Sequence, residues 1–204
     1  MSGTLDEAMA HFEKDLGMPE GFIADLKNQD DWSFVIKSHA LLEAALTQLI
    51  AHHVGRSELK PILARIDMSN AQFGKAAIGG ALGFLTKPER RFIRALSELR
   101  NDLVHDIRNV NFDLGAHINT AAEDAKDASA LVRTWVLVVE DDPMGYTFQG
   151  EARDWRTEFC GRPKELIWQS LRYFLAMAYV VHFRKGTQGG TLSELLGLAA
   201  AETQ

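Results

Sequence analysis

A single cysteine, Cys160, stands in 204 residues, so no disulfide can close within the chain, and a reducing compartment is expected. Positive charge is in the minority, 22 Lys and Arg against 28 Asp and Glu for a net charge of −6. That balance argues against generic nucleic-acid binding, which needs a concentrated basic surface; any nucleic acid must be met locally. Long hydrophobic runs are missing. Residues 73–85 are too few to span a bilayer, and residues 166–183 are interrupted by Gln169, Arg172 and His182, where hydrocarbon demands about 20 mainly apolar residues. No basic stretch followed by an apolar run and a cleavage site opens the chain. Internal repeats and low-complexity tracts are absent too. These absences lead to the expectation of a cytoplasmic protein without a membrane segment.

What is present, 46% hydrophobic and 25% charged residues, is the composition of a globular domain, and the length suits one well-filled core. Helical signals dominate. Thr4 and Glu7 have capping-box spacing for a short helix to about Leu16, and a second short helix is expected after Pro19. Asp30 or Asp31 can cap a core helix in which Phe34, Leu41, Leu42, Ala45, Leu49 and Ile50 recur at helical spacing as far as Gly55. Residues 57–66 are helical in pattern, with Pro61 requiring an early start or a kink. Ser69 and Asn70 offer a cap for the Gly-rich apolar segment 71–85, where Gly79 and Gly83 would share a helix face suited to close packing.

Thr86, Pro88 and Glu89 make the strongest helix start, for a helix reaching about Ile107. A further helix is expected over residues 116–131. The β-branched run 132–139 and the turn signal Asp141, Asp142, Pro143 would allow a hairpin insertion near residues 132–149. A last long helix runs from Pro163 through Leu166, Ile167, Phe174, Met177, Ala178 and Val181 to Lys185 and Gly186. The expected domain is therefore 1–185, with residues 186–204 a tail in which Thr191 and Glu194 can open one small helix.

The helix from Lys87 carries the chemistry. Phe92, Leu96, Leu99, Leu103 and Ile107 fall on one stripe facing the core. Asn101 and His105, four apart, lie together roughly opposite it with Arg94 and Glu98, and Arg100 sits at the edge between the two faces. Residues 87–108 hold six Lys or Arg against four Asp or Glu, a locally basic helix in an acidic chain. Histidine can exchange a proton near neutral pH, and arginine presents a fork of donors matched to phosphate oxygens. An ordinary solvated helix face is the alternative explanation of these residues.

Arg100, Asn101 and His105, with Asp102, Leu103 and Val104 between, resemble the Arg-polar-x-x-x-His signature that closes the third core helix of HEPN proteins. Residues 38–46, with Glu43, resemble that superfamily's first core helix, and residues 73–84 with Leu99, Arg100 and Asn101 resemble its mannitol-operon repressor branch. The resemblance spans about residues 31–113, with residues 163–185 as the final helix. It implies a mainly α, HEPN-like helical bundle that forms a homodimer with two motifs facing a shared groove.

Many such proteins are metal-independent endoribonucleases, and the resemblance implies roles accordingly. His105 would move the proton of a ribose 2′-hydroxyl or of the leaving oxygen, Arg100 would stabilise charge on phosphorus, and Asn101 would position His105 or the phosphate. Glu43 would orient a basic side chain of the site or form a plain surface salt bridge. Arg94 and Arg108 are candidate RNA contacts. The product would end in a 2′,3′-cyclic phosphate, and a toxin or defence effector with a cognate antitoxin is one setting for it. The repressor branch implies the other reading, a non-catalytic transcriptional regulator acting through a protein partner. No cofactor is expected. Nor is a metal, because His39, Glu43, His52 and His53 lack the spacing of a ligand set. Cys160 beside Phe159 suits packing, and the scattered Trp32, Trp135, Trp155 and Trp168 suit core filling.

Overall fold

The computed structural model describes residues 2–125, 128–137 and 155–178. In these residues the chain forms α1 (Ser2–Asp15), α2 (Phe22–Asp25), α3 (Asp31–Val54), α4 (Lys60–Leu63), α5 (Lys75–Ala81), α6 (Lys87–Val104), α7 (Leu114–Asp124), α8 (Ala128–Trp135), α9 (Trp155–Gly161) and α10 (Pro163–Ala178), with no strand among them. The protein is mainly α, as its sequence pattern requires.

The bundle is organised around α3, which packs on α5, α6 and α10. Its Asp30 cap accepts from the Ser33 amide, and Gly55 ends it at φ 70°, a left-handed conformation that costs other residues roughly 1–2 kcal/mol. Because it has neighbours on several sides, α3 buries Phe34, Val35, Leu41, Leu42, Ala45, Leu46, Leu49 and Ile50. Among the described residues this helix alone is long and apolar enough to cross a membrane, and two thirds (67%) of its most apolar window is buried inside the bundle.

Around α3 the helix starts are made in three different ways. Thr4 lies inside α1 rather than capping it, since the helix already runs from Ser2; extending a nucleated helix by two residues costs little. Glu13, almost fully buried, accepts from the amides of Gly21 and Ile23 at 2.7 Å each and so anchors the entry to α2. Pro61 stands in the first turn of α4, which is the early start its missing amide hydrogen requires.

The Gly-rich segment differs from expectation. Asp67 accepts from the amides of Ser69 and Asn70, and Asn70 from those of Gln72 and Phe73, so local side-chain turns delay the helix until Lys75. It is short, and Gly83 lies beyond it at φ 80°. Gly79 and Gly83 therefore share no helix face. Instead, the chain folds back through Phe84 and Leu85, whose amides donate to the Gly79 carbonyl. A Cβ on Gly79 would stand 2.6 Å from Leu85 Cδ1 and 3.0 Å from Phe84 Cε2. Gly79→Ala is accordingly expected to cost about 1–3 kcal/mol through overpacking, measurable as a lowered denaturant midpoint; an unchanged midpoint would mean that Leu85 moves aside freely.

Thr86 and Glu89 form the reciprocal capping box of α6. The helix stops at Val104, with His105 as its C-cap, because Asp106 turns to an extended backbone and accepts from the Arg108 amide to start a 3₁₀ turn, Ile107–Asn111. Ile107 thus falls outside the helix on which its spacing had placed it. Phe92, Leu96, Leu99 and Leu103 face inward as expected.

Residues 116–131 divide between α7, capped by Asp113, and α8. Val132 and Trp135 belong to α8, not to a strand. Burial of Val132, Trp135, Val136 and Leu137 outweighs β-propensity here, and Phe92 meets Trp135 edge to face with ring centroids 6.4 Å apart. The rest of the expected hairpin, residues 138–149, lies outside the described residues, as do the end of the last helix beyond Ala178 and the tail 186–204. Along α10, Leu166, Ile167, Leu171, Phe174 and Leu175 are buried, and Trp168 donates from Nε1 to the Ile23 carbonyl at 2.8 Å.

Candidate functional site

Register within α6 fixes the first group of side chains. Leu99 and Leu103 are buried, which leaves Arg100 and Asn101 half-buried at the rim and His105 exposed at the helix end. The His105 amide still donates to the Asn101 carbonyl, at 3.3 Å, and its φ of −80° and ψ of −13° keep it in line with the preceding turn. The two residues therefore remain one turn apart on one face, although the helix ends between them.

Arg100 donates from Nη1 to Asn101 Oδ1 at 3.0 Å, while its Nε is buried with no acceptor. No carboxylate pairs with its guanidinium among the described residues. An uncompensated, partly desolvated guanidinium attracts an anion more strongly than one already paired in water. Asn101 spends its amide oxygen on Arg100.

The other residues singled out by sequence do not converge on this pair. Arg94 is exposed on the outer face of α6. Arg108 is exposed too but closes a fork on Asp106, with Nε 3.0 and 2.9 Å from the two carboxylate oxygens and Nη2 2.6 Å from Oδ2. These bonds raise the guanidinium pKa and lower that of the carboxyl. Glu43 pairs with neither Arg100 nor His105. Its Oε1 lies 3.0 Å from Lys75 Nζ, whose side chain is 0% exposed against 37% for the glutamate.

Behind Arg100 is a polar cluster that sequence reasoning missed. His39, one turn before Glu43 on α3, is buried within electrostatic reach of Glu43, Arg100, Asp67 and Lys75. Burial pushes its pKa below the ordinary imidazole value; Glu43 and Asp67 pull it back up, and Arg100 and Lys75 push it down. Helices α3, α5 and α6 and the turn at Asp67 thus bring two cations and two carboxylates within electrostatic reach of one buried imidazole. The one sequence signal was Lys75 itself, a lone charge in an apolar run. Its partner, 32 residues away, could not be read from spacing. Among the described residues, no three His, Cys, Asp or Glu side chains are grouped as metal ligands.

Stability should follow the histidines. His39 and His117 both have pKa values lowered chiefly by burial, so the folded chain binds fewer protons than the unfolded one around the ordinary histidine pKa of about 6.5. Folding is then favoured above that value and weakened as pH falls through the depressed folded values. Thermal melts at pH 7.5 and 5.5 should show a lower Tm at the acid pH, with a smaller drop in His39→Asn. The same drop in the variant would mean that His39 takes up its proton without penalty.

Comparison of the chain with protein-family models, with curated proteins and with solved structures gives no match in any of the three.

Proposed function

We propose that this chain is an HEPN-like protein acting on RNA as a metal-independent endoribonuclease. The observation that carries the reading is Arg100. Its guanidinium lacks a carboxylate partner among the described residues, has a buried Nε without an acceptor, and lies on the same helix end as the exposed His105. A scissile phosphate docked there would meet the fork of Arg100, with His105 free to move a proton. The ribose 2′-oxygen attacks phosphorus, the bond to the 5′-oxygen breaks, and the products are a 2′,3′-cyclic phosphate and a 5′-hydroxyl. The proton lost from the 2′-oxygen is balanced by the one gained on the leaving oxygen. A cytoplasmic homodimer placing two such helix ends in one groove, with an antitoxin as a regulating partner, completes this reading.

The experiment is cleavage of labelled total RNA in excess EDTA by the purified protein. Fragments ending in a 2′,3′-cyclic phosphate are expected. The absence of cleavage across several RNAs would sink the catalytic reading. A second reading, a non-catalytic regulator acting through protein contacts, is favoured by Val104 and Val110, which are 39% and 51% exposed near His105 and offer apolar area to a partner chain. It requires a stable protein complex that Val104→Asp or Val110→Asp disrupts.

A further inference from the structure

At the far end of α3 from His39, the chain forms a separate basic hollow. Gly55, at φ 70°, reverses the chain so that Arg56, Ser57 and Lys60 come alongside Gln48 and His52. Together they line a cavity of about 240 Å³. No carboxylate lines it, and neither Arg56 nor Lys60 forms an ion pair among the described residues. Such a gathering is local, since the chain as a whole carries a net charge of −6.

The usual objection to an anion here is the partial negative charge at a helix C-terminus. It is blunted by the turn itself: the Gly55 amide donates to the Ala51 and His52 carbonyls, and the Arg56 amide to Ala51 at 3.0 Å. With the Ala51 and His52 carbonyls occupied, the groups that face a ligand are the guanidinium fork of Arg56, the ammonium of Lys60 and the neutral polar groups of Gln48 and Ser57, with His52 lining the same hollow. Arginine and lysine in one hollow, a planar fork beside a mobile point charge, suit the tetrahedral oxygens of phosphate.

We infer that this hollow is a phosphoryl-binding site, taking the phosphate of a nucleotide or of an oligonucleotide backbone. It is distinct from the Arg100 centre. His39 and His52 are 13 residues apart on α3, about 20 Å along the axis, and the site does not require that RNA is cleaved. For RNA bound at Arg100, it would supply a second, non-reacting anchor.

The test is a two-dimensional amide NMR titration of the full chain carrying His105→Ala, chosen to slow the cleavage proposed above. The probes are inorganic phosphate, a nucleoside 5′-monophosphate, and a short oligoribonucleotide with 5′- and 3′-hydroxyl ends. Saturable shifts centred on residues 48–60 are expected. They should weaken about tenfold or more in Arg56→Ala/Lys60→Ala, a pair of side-chain truncations far enough out to leave Tm unchanged. Response to the monophosphate but not to the oligonucleotide would assign a terminal phosphate, and response to both a backbone phosphate. Shifts that never saturate, that scatter over all basic residues, or that survive the double substitution would overturn the site. Ribonuclease activity plays no part in the readout, so failure of either proposal leaves the other standing.

Discussion

Replacing Glu43 with alanine is expected to destabilise the protein by about 3 kcal/mol, whereas Lys75→Met should cost less than about 1.5 kcal/mol. The asymmetry follows from burial. Lys75 is wholly enclosed, and Glu43 is the only partner of its ammonium among the described residues. Removing the carboxylate strands a positive charge in the core. Methionine in place of Lys75 fills similar volume without a charge, and the glutamate left behind is 37% exposed, so water can solvate it. Urea unfolding at pH 7 measures both as shifts in midpoint at constant slope. Equal losses, or a neutral Glu43→Ala, would show that Lys75 reaches solvent or another acceptor once its partner is gone. The same pair ties α5 to α3, and both of its members, like Arg100, act electrostatically on His39, so Lys75→Met also asks whether the site survives when that tie becomes apolar.

His105→Ala should lower RNA cleavage by about 10²–10⁴-fold, the range for loss of a general acid or base. Stability should change by no more than about 0.5 kcal/mol, because the side chain is exposed. Arg100→Ala should reduce cleavage by about 10²–10³-fold, as expected for removing charge stabilisation at phosphorus. Arg100→Lys should recover little of it, since a point charge cannot reproduce the fork or its bond to Asn101. Arg94→Ala, on the exposed outer face, and Arg108→Ala, whose guanidinium is already held by Asp106, serve as comparisons and should lose far less. Single-turnover assays in EDTA, paired with melts of every variant, separate chemistry from folding. Full activity in His105→Ala would remove that residue from the reaction and leave Arg100 as the one side chain of α6 argued to act on the phosphate.

Within the sequence, short-range physics was legible. The capping box at Thr86 and Glu89, the Asp30 cap, the glycine stop at residue 55 and the inward stripe of Phe92, Leu96, Leu99 and Leu103 are all set by hydrogen bonds and periodicities spanning a few residues. The pattern therefore determined a mainly α protein, and it brought Arg100, Asn101 and His105 to one helix end. Elsewhere a local rule was overridden. Asp67 and Asn70 spend their side chains on turns and shorten α5, Asp106 ends α6 before Ile107, and contact with the core turns Val132 and Trp135 helical despite their strand propensity. Pairings over long separations depended on the fold alone. Glu43 meets Lys75 rather than Arg100, His39 becomes a buried imidazole whose pKa is lowered chiefly by burial, and Lys164 reaches Asp31 at 2.9 Å. The reason is physical: a cap or an amphipathic stripe is complete within its own helix, but which charges meet in a core depends on how whole helices pack.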